Sequence, residues 1–474
     1  VNNLNDIIGA EYVKLNNSTI SGIATVISQE YPQLNCRVVD VDRFEKTQRA
    51  EGSLDNKDLD YLISEILTPN NSSIAYRYDR RWQKTYENIT LTSDKSRLRS
   101  QGVYLIFGSI DSGLGRVWAE YLQDKFNAQV VFVGDVEDRR QKEEGADEIC
   151  SIKIQVDINN QEAVSNAIAE VESSLGEIDG VFYSTPMTNQ NSASVISELK
   201  SSHWEYNYQT KINPLHILAE CLADKQLDFV LVQSSLSSIL GGLGLAAYAG
   251  ANCYLDAFVE GQNNLLQNNT PWFSVNWDAC QTETEQQNIS GIGASLSEYS
   301  LTPQEVGEAT EKILALSAGS QVIVSKGDLQ TRIDRWLPST PEDEAVTKVN
   351  NIEQHSRPNL TTEYVAPSNE TEIAIAEIWQ QVLGIDRVGV NDSFFELGGH
   401  SLLAIQTISR IRETFNVELA MNTILAETPT VRNLAANVIE QQPDAAELAT
   451  IEELLAEVQN MSPEEIAKQL EERN

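Results

Sequence analysis

VYLIFGSIDSGLGRVWAEYLQDKFNAQVVFVG, residues 103–134, decides the fold. VYLIFG (103–108) is a short apolar run ended by glycine, a helical pattern follows from Leu114 to Phe126, and VVFVG (130–134) is a second apolar run. Short apolar runs separated by helices read as parallel strands covered by their crossover helices. The pattern continues outward. SIKIQVDI (151–158), GVFYS (180–184), FVLVQSS (229–235) and PWFSVNW (271–277) are further strand candidates, with helical stretches between several of them. The expectation is an α/β domain over residues 99–337, a doubly wound parallel sheet.

Upstream, residues 1–98 contain STISGIATVIS (18–28) and CRVVDVD (36–42), read as short apolar strands, then SSIAYRYDRRW (72–82) and a polar stretch. Downstream, residues 338–369 carry Pro338, Pro341, Pro358 and Pro367 and few aliphatics, which reads as a mobile linker. Helical periodicity then covers 370–441, a small all-α bundle. Residues 442–474 hold two helix patterns broken at SPEE, where Ser462 can cap and Pro463 suits a first turn.

A length of 474 residues fits roughly two to four domains. Hydrophobic content of 41% and charged content of 22% are those of ordinary globular chains. No apolar run is long enough for a membrane span, and VNNLNDIIGAEYVKL lacks a signal peptide's basic and apolar regions. Without a starting Met, the chain reads as a fragment, and as cytoplasmic. The five cysteines are scattered with no CxxC pair, so reduced thiols are expected and no metal site. A net charge of −36 argues against nucleic acid, which needs clustered Lys and Arg. The plain reading of this acidity is solubility; the sharper one is that acidic surfaces steer the chain towards basic partner domains.

In LGGHSLLA (397–404), Gly398 and Gly399 allow a tight turn before Ser401, which opens an apolar helical pattern. A helix N-terminus offers N–H groups and partial positive charge to a phosphodiester. The plain alternative is that Ser401 only caps the helix. With its flanks YVAPSNETE (364–372), IWQQVLGI (378–385), VGVNDSFFELGGHSLLA (388–404) and TPTVRNLA (428–435), the block resembles the carrier domains of modular polyketide synthases and nonribosomal peptide synthetases. The resemblance implies 4′-phosphopantetheine on Ser401, added by a phosphopantetheinyl transferase. His400 before the serine is commoner in peptidyl than in acyl carriers.

Residues 100–337 are similar to the ketoreductase domain of such synthases, a Rossmann-like relative of short-chain dehydrogenases. The likeness is densest in FVLVQSSLSSILGGLGLAAYAGANCYLDAFVEG (229–261). Lys211 in YQTKINPLHIL, Ser235, Tyr248 and Asn252 fit that family's tetrad in type and spacing. The resemblance implies that Tyr248 donates a proton and Ser235 holds the carbonyl. Lys211 would favour the tyrosinate, and Asn252 would order backbone or a water. It also implies NADPH or NADH held by Gly108, Gly113 and Gly115 of FGSIDSGLG (107–115), by Asp135 after VVFVG, and by Asp157 in VDI. Residues 1–98 look like part of the structural subdomain that precedes the catalytic half.

The cofactor side departs from the family pattern. Four residues separate the first two glycines, Asp111 puts a carboxylate where phosphates approach, and YSTP (183–186) replaces an AAG-like turn. Asp135 stands where Arg usually meets the 2′-phosphate, which favours a ribose hydroxyl. The whole implies reduction of a carrier-bound ketoacyl thioester to a hydroxyacyl thioester. Two alternatives stand: an inactive reductase-like platform for the carrier, and an α-keto acyl reductase of a peptide-synthetase module. The acidic, apolar-striped tail resembles a docking element to the neighbouring modules.

Overall fold

The computed structural model describes residues 1–41, 56–67, 73–90, 96–109, 114–135, 152–186, 194–264, 270–280, 299–337, 355–415, 417–425 and 429–441, apart from a few single positions within these stretches. The chain divides into two compact units, with the boundary at residues 351 and 352.

The first unit begins with helix α1 (Leu15–Glu30) and a three-stranded sheet of β1 (Val39–Val41), β2 (Ile74–Arg77) and β3 (Arg80–Gln83). Helix α2 (Asn56–Leu67) lies between β1 and β2 in sequence. Arg77 is buried in this layer, paired with Asp40 at 2.7 Å and with Glu11. STISGIATVIS, expected as a strand, is helical. Its β-branched residues favour strands locally, but Ser18, Gly22, Val26 and Glu30 recur every fourth position and are all buried. Tertiary packing against one face therefore decides the matter.

The large sheet follows: β4 (Val103–Ser109), β5 (Gln129–Asp135), β6 (Ile152–Gln155), β7 (Gly180–Ser184), β8 (Phe229–Ser235), β9 (Trp272–Trp277) and β10 (Gln321–Val324). Its order is β10-β9-β8-β7-β4-β5-β6, and every pairing is parallel. The doubly wound fold expected over 99–337 is what the chain adopts. β7 and β9 are buried along their whole length, as strands covered on both faces must be. The short β10 was not foreseen.

Helix α3 (Gly115–Phe126) packs with helix Pro303–Ile313 on one face, where the Trp118 indole N–H donates to Thr310 at 3.0 Å. Helices α4 (Gln161–Leu175), α6 (Asn213–Leu222) and α8 (Ala246–Asn264) contribute to the opposite core, with α5 (Ser201–Asn207) and α7 (Ser237–Leu240) between them in sequence. The winding reverses between β4 and β7. The crevice beyond their carboxyl ends is where open α/β sheets take ligands.

The second unit contains helices Glu370–Leu383, Ser401–Phe415, Asn422–Leu425 and Val431–Gln441. Trp379 and Phe394 meet edge to face at 4.9 Å in its core. Residues 355–369, expected within the linker, are tied to this bundle. Arg357 holds Asp392 through two nitrogens at 2.7 and 2.8 Å, and Val390 N donates to Val365 O. A bidentate pair on a buried carboxylate outweighs the proline-rich composition that pointed to a linker. Residues 338–354 and the tail 442–474 lie outside the described residues.

Candidate functional site

The glycine positions of the crevice are set by close approach. Gly108, next to last in β4, has φ +115°, and a Cβ there would come within 2.3 Å of Ser184 O. Gly115 opens α3, and its Cβ would lie 3.1 Å from Ser184 Oγ. These are the roles that first and third glycines play in a dinucleotide loop: a tight turn and close helix–strand packing. On this observation the crevice fits a dinucleotide. Asp111 and Gly113 lie outside the described residues. Asp135 is the last residue of β5, paired in register with Ser109; its side chain is outside the description. Asp157 is exposed, and its carboxylate accepts from Asn159 N at 2.9 Å, closing its own turn.

Lys211 lies in a π-helical segment, Tyr208–Ile212, between α5 and α6. Tyr183 OH donates to Lys211 O at 2.7 Å, which pins the widened turn to β7. The Lys211 side chain is wholly buried. Its Nζ donates to Pro186 O at 2.8 Å and sits 4.7 Å from the centre of the Tyr248 ring. Burial lowers its pKa to about 7, because the ammonium has left water.

Tyr248 lies in the first turn of α8 and is nearly buried. One turn on, Asn252 is fully buried; its Nδ2 donates to Tyr248 O at 2.9 Å, and its Oδ1 has no partner among the described residues. Ser235 ends β8, where its Oγ accepts from Ser237 N at 3.2 Å. The neighbouring Ser234 Oγ donates to Asn252 O at 3.5 Å. The structure therefore gathers Lys211, Tyr248 and Asn252 directly, and links β8 beside Ser235 to them through Ser234.

Sequence reasoning missed the polar layer beneath these residues. Asp256, one further turn along α8, accepts from Ser274 Oγ, from Asn276 Nδ2 at 2.8 Å and from Gln321 Nε2 at 3.2 Å. Burial pushes its carboxyl above the usual carboxylate range. Asn276 also donates to Ser235 O at 3.3 Å, so the layer grips the end of β8. The signal was present as polar residues at every fourth position, Tyr248, Asn252 and Asp256, in an apolar helix.

In the second unit, Gly398 takes φ +92° just before the fifteen-residue helix that Ser401 opens. A helix start behind a left-handed turn fits a phosphodiester-bearing serine. His400 and the Ser401 side chain lie outside the described residues. Among the described residues, no group of His, Cys, Asp and Glu is placed to hold a metal, and no helix is long and apolar enough to cross a membrane.

Residues 102–282 match the family model of the KR domain, and residues 374–438 match that of the phosphopantetheine attachment site. Gramicidin S synthase 2 of Aneurinibacillus migulanus is 52% identical over 81 residues, 17% of this chain and 2% of that protein. Polyketide synthase PksM of Bacillus subtilis (strain 168) is 23% identical over 371 residues, 75% of this chain and 8% of that protein. The chain thus spans only a small fraction of the length of these relatives. A ketoreductase domain from the bacillaene assembly line superposes with a TM-score of 0.56 at 22% identity, covering 69% of this chain and 78% of that one. An adenylation, ketoreductase and pseudo Asub structure of a keto acid-selecting NRPS module gives 0.56 at 18% identity, covering 72% and 29%. The first unit thus carries the KR domain match and has the fold of solved ketoreductase domains, and the second unit carries the phosphopantetheine-attachment match.

Proposed function

We propose that the chain reduces the ketone of an acyl thioester tethered to 4′-phosphopantetheine on Ser401, giving the hydroxyacyl thioester. The carrying observation is the buried Lys211 Nζ, 4.7 Å from the Tyr248 ring, with Asn252 bound to the Tyr248 carbonyl. NADPH or NADH would be held by Gly108, Gly113, Gly115, Asp135 and Asp157, and when bound it supplies hydride to the carbonyl carbon. The Tyr248 phenol gives its proton to the carbonyl oxygen, and solvent restores it. Ser235 holds that oxygen by hydrogen bond, and Lys211 in its charged form favours the tyrosinate left behind. Asp111 and Asp135 favour a cofactor without a 2′-phosphate, so NADPH should bind no better than NADH. The tail and neighbouring synthase modules are the expected partners, and a phosphopantetheinyl transferase supplies the arm.

A second reading keeps the chemistry and changes the substrate to an α-ketoacyl group. The likeness to a keto acid-selecting module and the 52% identity of the carrier region to gramicidin S synthase 2 favour it. The test is to load the chain with β-ketoacyl and α-ketoacyl pantetheine in parallel and follow reduction by mass. Tyr248→Phe should lower turnover roughly 10²–10⁴-fold with the fold intact. Equal rates in Tyr248→Phe and the parent would refute the proton-donor role, and no reduction of either substrate would leave the platform reading.

A further inference from the structure

One buried amide joins both walls of the crevice. Gln233 lies on β8, 3% exposed, directly after the buried apolar run Phe229 to Val232. Its Oε1 accepts from Thr185 N at 3.1 Å, from Ser184 Oγ at 3.3 Å and from Leu114 N at 3.4 Å. Leu114 is the residue at which the chain enters α3 after the glycine loop. Ser184 and Thr185 begin the turn after β7, and Ser184 is the residue that Gly108 and Gly115 approach. A carbonyl oxygen has two lone pairs, so the three donors share them, and one atom ties all three segments to a common point. Leucine would fill this place without needing any partner, whereas a buried amide costs stability unless its bonds are made. The amide therefore earns its place by what it holds.

We propose that Gln233 is a positioning residue that sets the distance between the glycine-loop exit and the β7 turn, and so the width of the crevice that receives a dinucleotide. The dinucleotide half of this statement rests on the cofactor reading above; the structural half does not.

Hydrogen exchange on the full chain separates the two. In Gln233→Leu, the amides of Leu114 and Thr185 should exchange roughly five- to tenfold faster, the effect of one ordinary hydrogen bond, while β8 and β9 keep their protection. Cofactor titration should show affinity weakened about tenfold, with turnover at saturation changed less than about threefold. Should Gln233→Leu fail to fold, Gln233→Asn keeps the amide but draws it back by one carbon, and it should show the same pattern. Unchanged exchange at Leu114 and Thr185 in a folded variant overturns the proposal. Faster exchange with unaltered cofactor affinity overturns its positioning half. A parent chain that binds neither NADPH nor NADH removes the cofactor reading, and exchange at the two amides then decides the structural half alone.

Discussion

A lysine sealed in a protein core gives up its proton readily, and Lys211 is such a lysine. Its pKa is lowered to about 7 from 10.5 in the unfolded chain, with burial as the cause. Between those values the unfolded state binds more protons, so stability rises with pH across that window; below about 7 the slope vanishes. Lys211→Met should remove this slope. The variant should gain most over the parent near pH 7, and the gap should narrow as the pH rises. Denaturant melts at several values between pH 7 and 10 measure it, and parallel curves would show that Lys211 is not responsible. The same titration bears on chemistry. In the proposed reduction, the support that the charged amine gives the tyrosinate falls as the pH rises above about 7. Asp256 complements it from below, a buried carboxylate that accepts from the neutral donors Ser274, Asn276 and Gln321.

Among the elements, α1 and α8 depend on each other most closely. An added Cβ at Gly22 would come within 2.6 Å of the Ala249 carbonyl carbon. From the same helix, Gln29 binds Leu240 O and Gly242 N, and Glu30 accepts from Ile196 N and Gly244 N. Helix α1 thus braces the loop that leads into Tyr248. Gly22→Leu should cost about 1–3 kcal/mol through overpacking, and it should lower turnover because α8 shifts. A thermal melt and a rate on the same sample check both, and an unshifted melt would mean that α1 has room to move. This brace was not legible in the sequence, because STISGIATVIS carries strand-forming residues and its helical face appears only against α8. The large sheet was legible, because β4, β5, β7, β8 and β9 are apolar runs with nothing else to be. β10 was not; QVIV is four residues long and partly exposed at the sheet edge. Lys211, Tyr248 and Asn252, singled out by type and spacing, are brought side by side by the structure. The bonds of Gln233 and Asn276 were not legible, because polar residues in a buried strand say nothing of which partners the fold will bring to them.

At the scale of the molecule, a unit matching the KR domain and a unit matching the phosphopantetheine attachment site share one chain of net charge −36. Incubation with coenzyme A and a phosphopantetheinyl transferase should add one phosphopantetheine, and Ser401→Ala should abolish the mass shift. A shift that survives would place the arm elsewhere. The segment 442–474, outside the described residues, was read as an acidic docking tail. Removing 448–474 should leave loading and reduction intact but slow transfer to a basic downstream partner, with the difference shrinking at high salt. Transfer at an unchanged rate would show that handover does not use the tail.

The π segment at Tyr208–Ile212 has a geometric consequence. It places one extra residue in an otherwise continuous helical run from Ser201 to Leu222. Each α-helical residue advances the rotation by about 100°. Without the extra residue, the two halves of the run would fall out of phase with their present surroundings. Either Lys211 would swing away from Tyr248, or Leu215, Leu218 and Leu222 would leave the core they fill. The wide turn acts as a phase corrector, letting one helix face the sheet with its apolar side and the crevice with its only buried amine.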